Sequence, residues 1–186
     1  AEWFEQQHCA GQRAIRECGW WDALCGQSDW LEWDDAPLLD RTASTHYVLG
    51  QTAPFCIAAP PRISQCRREV VFAVWFSPYT CNGGFSRTSG RAQGGAIATI
   101  LDTVCSAACS ASQSLPAPTG TITVRMHRPV APIPGVFRVS AKVDSSKEAA
   151  GSRKVTVLGT LCHGDAPDVA LASAEAIHVV AAAARA

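Results

Sequence analysis

An excess of charge of either sign is missing from this chain. Lys plus Arg number 16 and Asp plus Glu number 16 among 186 residues, for a formal net charge of zero. Such a balance supplies no long-range field for nucleic acid or an anionic membrane, so neither is expected as a partner. A Cys-x-x-Cys pair is also missing although the chain carries 9 Cys. The usual zinc spacing is therefore absent, and no metal is expected. Cys105 and Cys109 stand one helical turn apart with no second ligand pair nearby, and read as buried thiols acting as small hydrophobes. A disulfide among Cys9, Cys18 and Cys25 stays open. No run is expected to span a bilayer, because the most apolar stretch, Ala96 to Ala111, carries Asp102 in its middle. No secretory or mitochondrial targeting segment is visible, and Ala1 in first place leaves the compartment open.

Apolar residues make up 47% of the chain, enough for a real core. Composition divides the sequence in two. Residues 1–67 hold five of the 6 Trp and little strand pattern. Glu2 to Glu17 reads as a helix, and Trp20, Trp21, Leu24 and Cys25 fit a second, short helical face. Asp29 is a plausible N-cap for a turn over Trp30 to Trp33. Ala53 to Pro61, with three prolines, reads as an extended linker. Trp20, Trp21, Trp30 and Trp33 are expected either to cover a sheet of the same chain or to dock another protein.

Residues 68–186 form the second part. Glu69 to Phe76 is β-branched and aromatic, bounded by Arg67-Arg68 and Ser77-Pro78, and predicts a strand. Residues 81–91, rich in Gly and Ser, predict a loop. Ala96 to Ala111 predicts a helix that is apolar almost all round and therefore buried. Thr99, Thr103, Ser106 and Ser110 fall on one stripe of it, with Asp102 on the flank. Pro116 and Pro118 end the helix. Thr119 to Arg128 then alternates, with Ile122, Val124 and Met126 on one face and Thr121, Thr123, Arg125 and His127 on the other. Val136 to Val143 and Lys154 to Cys162 alternate in the same way. Val169 to Val180 has the Ala content of a helix but the position of a fourth strand, and is read as a strand. An antiparallel sheet wrapped around one buried helix is the simplest α+β architecture that satisfies this order.

The chemistry concentrates at Gln93-Gly-Gly-Ala-Ile-Ala-Thr-Ile-Leu-Asp102. Two glycines at a helix start allow a substrate to approach the backbone closely. The first helical N–H groups lack partners and sit at the positive end of the helix dipole, so they suit a carbonyl oxygen gaining negative charge. A carboxylate midway along a buried helix is costly unless it is paired or used. Gly94 and Asp102 are eight residues apart, about 12 Å along a helix axis, too far for one reacting carbonyl group to touch both on the same chain. A second copy of the helix running antiparallel would bring them together. His46, His163 and His178 have no paired context and read as surface or satisfied core residues.

This segment resembles the His-Gly-Gly-plus-Asp signature of hot-dog acyl-CoA thioesterases, especially the mitochondrial long-chain branch and its PaaI-like relatives. Thr119-Gly-Thr-Ile-Thr-Val-Arg-Met-His-Arg-Pro129 is similar to that branch's strand after the helix, and Gly151-Ser-Arg-Lys154 to its next turn. Phe4-Glu-Gln, with Cys18-Gly-Trp20, loosely resembles its helical lead-in. The resemblance covers residues 68–180. It implies a hot-dog fold, fatty acyl-CoA hydrolysis without a cofactor beyond the coenzyme A of the substrate, and the mitochondrial matrix as compartment. It implies that Gly94, beside Gly95, supplies a backbone N–H to the thioester carbonyl. Asp102 would be general base or nucleophile, and Thr119 would position the water or the carboxylate. His127 and Arg128 would face the phosphates of coenzyme A. It implies two composite sites in a homodimer, or in a pairing with another hot-dog chain. Gln93 stands where the family has His, and Gln carries no proton at neutral pH. Two rival expectations follow from that change. One is an impaired hot-dog subunit of a larger assembly, joined through the amino-terminal extension. The other is acyl-CoA binding without turnover.

Overall fold

A computed structural model describes residues 2–33, 55–57, 61–80, 90–113, 117–148 and 152–180. His46, Cys81, loop residues 81–89, Pro116 and Gly151 lie outside the described residues. Among the described residues, three α-helices and eight strands make up the regular structure, with two single-turn 3-10 helices at Pro78–Thr80 and Ser145–Lys147. The helices are α1 (Glu2–Arg16), α2 (Gly19–Cys25) and α3 (Gly94–Gln113). The strands are β1 (Trp30–Glu32), β2 (Phe55–Ile57), β3 (Arg62–Ser64), β4 (Glu69–Phe76), β5 (Thr119–Met126), β6 (Gly135–Val143), β7 (Lys154–Cys162) and β8 (Ala170–Val179). All the pairings are antiparallel, and they join one sheet in the order β1-β3-β4-β6-β7-β8-β5, with β2 also on β4.

The sheet curls around α3. Val70, Phe72, Val74 and Phe76 of β4, Phe137, Val139 and Ala141 of β6, and Ala172, Ala174 and Ala176 of β8 all join the helix in one core. Ile100, Leu101 and Val104 of α3 are fully buried there, each worth about 1.5–3 kcal/mol relative to exposure. The helix lies closest to the sheet at Gly159, where a β-carbon would sit 2.8 Å from the Cys105 sulfur. Only glycine fits that crossing. Among the described residues α3 is the one helix long and apolar enough, by length and composition, to cross a membrane, with mean hydropathy 1.3. Here 61% of that stretch is buried, as befits a helix wrapped by its own sheet.

The amino-terminal part adds to the same sheet. Ile15, Trp21 and Leu24 pack on the outer face of β4, against Val71, Ala73 and Trp75, with Trp20 and Trp30 beside them. Trp33 joins the main core instead. Two local expectations change. Trp30 to Glu32 is a strand, not a helical turn, because it pairs with Ser64, Ile63 and Arg62. Arg62 also bridges to Glu32 at 2.9 Å. Within the expected linker, Phe55–Ile57 pairs with Phe76, Trp75 and Val74. The strand readings for β4 and β7 hold to the residue, and the last segment is a strand despite its alanines. The thiols of Cys9, Cys18 and Cys25 are free.

Candidate active site

The Gly94-Gly95 turn is held from behind by two backbone bonds. The Ala92 N–H donates to the Val130 carbonyl at 2.9 Å, and the Gln93 N–H to the Thr80 carbonyl at 2.5 Å. The first intrahelical bond runs from the Ile97 N–H to the Gln93 carbonyl at 3.1 Å. The helix itself therefore leaves the Gly94, Gly95 and Ala96 N–H groups unpaired. Gln93, Gly94 and Gly95 are exposed. A β-carbon on Gly95 would stand 4.0 Å from the Gln93 side-chain oxygen, so that amide lies beside the turn. One on Gly94 would stand 3.8 Å from the Met126 methyl, which places the end of β5 next to it.

The other end of β5 lies against the Asp102 carboxylate of α3. Thr119 donates its hydroxyl hydrogen to Asp102 Oδ1 at 2.9 Å, and Ser106 Oγ lies 3.3 Å from Thr119 Oγ1. Thr119 has one hydrogen and spends it on Asp102, so Ser106 is the donor in the second bond. A directed chain results, Ser106 to Thr119 to Asp102. The polar stripe of α3 thus divides. Thr99 and Thr103 turn their hydroxyls back on the Gly95 and Thr99 carbonyls, at 2.9 and 3.0 Å. Ser106 reaches across to β5.

A β-bulge makes this possible. Thr119 pairs with His178, but Thr121 pairs with Ile177, so Gly120 is the extra residue. Under strict alternation Thr119 would share the outer face with Thr121 and Thr123. The extra residue turns it inward, toward α3.

Asp102 also sets the local field. Its negative charge adds to burial in pushing the Cys105 thiol up to about 12. Burial alone pushes Cys109 to about 11, so both thiols stay protonated near neutral pH. On β8, His178 is fully buried and faces the helix. Burial holds its pKa below the ordinary 6.5, partly offset by a bond to the Ala117 carbonyl and by the Asp102 charge.

Asp102, Thr119, Ser106 and His178 therefore gather at one end of β5, and Gln93, Gly94 and Gly95 with Met126 at the other. His127 does not join either group. It bonds Ser173 Oγ at 2.8 Å, and Ser173 alternates with the core-facing Ala172 and Ala174, so both lie on the outer face of the sheet. Arg128 is exposed at the strand end, its N–H on the Leu171 carbonyl. Ser106 was visible in the sequence as one of a stripe. His178 had no signal, since its partner Ala117 is 61 positions away. Among the described residues no three His, Cys, Asp or Glu side chains gather as a metal-binding set.

A long helix wrapped by a sheet in this order is the hot-dog fold. Solved structures of the thioesterase superfamily share it. Zebrafish thioesterase superfamily member 2 superposes with a TM-score of 0.58 at 14% identity, over 77% of this chain and 93% of that one. A putative thioesterase from Ralstonia eutropha, related to phenylacetic acid degradation, gives 0.52 at 20% identity, over 68% and 84%. Another thioesterase superfamily protein gives 0.55 at 21% identity over 70% of this chain, which spans 59% of its length. No family model matches the chain. No curated protein matches it either.

Proposed function

We propose that this chain is a hot-dog thioesterase that hydrolyses fatty acyl-CoA, working as a dimer with two composite sites. The observation that carries the reading is the Thr119–Asp102 hydrogen bond of 2.9 Å at one end of an edge strand whose other end abuts Gly94. β5 pairs only with β8, so its second edge has no strand among the described residues. Two copies joined edge to edge about a two-fold axis would run their β5 strands antiparallel. The Met126 end of one then lies beside the Thr119 end of the other. Gly94 of one copy meets Asp102 of its partner, and each half-site is completed.

The chemistry needs little else. Thr119 occupies one carboxylate oxygen of Asp102, and the other receives a proton from water. The water oxygen bonds to the thioester carbon, and the carbonyl oxygen takes up negative charge against the Gly94 and Gly95 N–H groups. Collapse of that oxyanion breaks the C–S bond, and the coenzyme A thiolate leaves with the proton that Asp102 took from water, which restores the carboxylate. General-base action by a carboxylate is worth about 10²–10⁴-fold. The resemblance to the mitochondrial long-chain branch makes the mitochondrial matrix the first compartment to test.

The test is thiol release from a panel of acyl-CoAs by pure protein. Asp102→Ala should lower kcat by about 10²–10⁴-fold. Mixing inactive Asp102→Ala and Gly94→Pro chains should restore part of the activity, because one site of the mixed dimer is intact. Full activity of a monomer, or no recovery in a verified mixed dimer, removes the composite site. A second reading rests on Gln93, which replaces the His of the family signature. Tight acyl-CoA binding without thiol release selects a binding protein, and neither binding nor release selects an accessory subunit.

A further inference from the structure

β8 sends Ala172, Ala174, Ala176 and then His178 to the helix face. An imidazole at the end of three methyl groups needs a reason. His178 is 0% exposed, flanked by Thr119 on β5 and Val155 on β7. Its Nδ1 lies 3.2 Å from the Ala117 carbonyl. A carbonyl only accepts, so Nδ1 carries the hydrogen, and in the neutral ring Nε2 is a bare lone pair. Nε2 is buried and has no donor among the described residues. An orphaned acceptor of this kind costs about 1–3 kcal/mol, which an aliphatic residue would avoid.

The neighbouring hydroxyls are already committed. Thr119 gives its hydrogen to Asp102 and Ser106 gives its own to Thr119. From β7 the facing residue is Val155, which has nothing to donate. From α3 the charged group whose field reaches the imidazole is Asp102, an acceptor. No group among the described residues is therefore placed to donate to Nε2.

We propose that His178 holds the water that attacks the thioester, an inference that rests on the thioesterase reading for its kinetic part. One O–H of the water points to His178 Nε2 and the other to the free oxygen of Asp102. With both hydrogens directed, the water's lone pair faces the carbonyl carbon. The proton released on attack goes to Asp102, and the imidazole stays neutral throughout.

Two substitutions separate this role from a structural one. His178→Asn keeps an amide at the level of Nδ1, which retains the bond to Ala117, but removes the distal acceptor. His178→Gln carries an amide oxygen out to the level of Nε2. His178→Asn should lower kcat by about 10²-fold with little change in KM, the size expected for a misplaced reactant. His178→Gln should recover most of it. Full kcat in a folded His178→Asn protein overturns the proposal. A long-range ¹H–¹⁵N spectrum of the wild-type imidazole provides a test that needs no turnover. A hydrogen on Nδ1 and an Nε2 signal shielded by a hydrogen bond from water supports it. A hydrogen on Nε2, or an unshielded Nε2, overturns it. If the wild-type protein hydrolyses no acyl-CoA, the thioesterase reading fails on its own, while the spectrum still decides whether His178 holds a water.

Discussion

β4 and β5 are both eight residues long, yet β4 buries seven of its residues and β5 buries none. The difference is in what surrounds them. β4 is paired on both edges, by β6 and by the in-line strands β2 and β3, and is covered on its outer face by α1 and α2. β5 has one neighbour among the described residues and a polar outer face. Their sequences show it: Val70 to Phe76 is unbroken and apolar, whereas Thr119 to Met126 alternates threonine with aliphatic residues. One end of the sheet is closed by the chain's own extension, and the other is left open where the half-site lies.

Three measurements would break or sharpen that contrast. The largest effect is expected from Trp75→Ala, which empties the outer cover of β4. It should cost about 3–5 kcal/mol in chemical denaturation. Thr123→Ala, on the open strand, should change stability by no more than about 0.5 kcal/mol. Similar losses at both sites would mean that the two ends are equally closed. The second concerns the seam between extension and sheet. A β-carbon on Gly164, in the β7–β8 turn, would lie 2.0 Å from the Trp20 ring. Gly164→Ala should therefore cost about 1–3 kcal/mol and shift the tryptophan emission. Gly19→Ala meets no atom within 4 Å and serves as the control. Unchanged emission and stability in Gly164→Ala would show that α2 is not seated on that turn. The smallest effect is in pH dependence. Val70 to Phe76 has no titratable side chain, while the open end has His178. Its folded pKa lies below 6.5, so the unfolded chain binds the proton first as pH falls. Its contribution to stability is full above that value and declines below it. Thermal midpoints should fall between pH 7 and pH 5, and fall less in His178→Gln. An identical slope in the two proteins would place the titration elsewhere.

The sequence made the helix, the strands of the wrapped sheet and the Asp102–Thr119 pair legible, because each rests on local pattern or a short motif. The rest depended on partners far along the chain. Trp30 to Glu32 became a strand through Arg62 to Ser64, which no local periodicity announces. β2 pairs within a proline-rich stretch for the same reason. His178 looked solitary because its alternation matched its alanine neighbours and its hydrogen-bond partner is distant. His127 was expected, from the resemblance, to face the phosphates of coenzyme A. It lies on the outer face of the sheet, on Ser173, a pairing that no local pattern announces. Ser106 gained its role only when β5 was laid beside α3.

The bulge at Gly120 has a consequence for heredity. Deleting that single codon would remove the bulge and make Thr119 the direct neighbour of Thr121, still opposite His178, so simple alternation would keep its hydroxyl on the core face. The carboxylate would keep its hydroxyl partner, with almost no change in composition, core or overall shape. A lineage can therefore gain or lose the bulge by one in-frame insertion or deletion while the hydroxyl keeps its face, an event that a count of matching residues scores as a trivial gap.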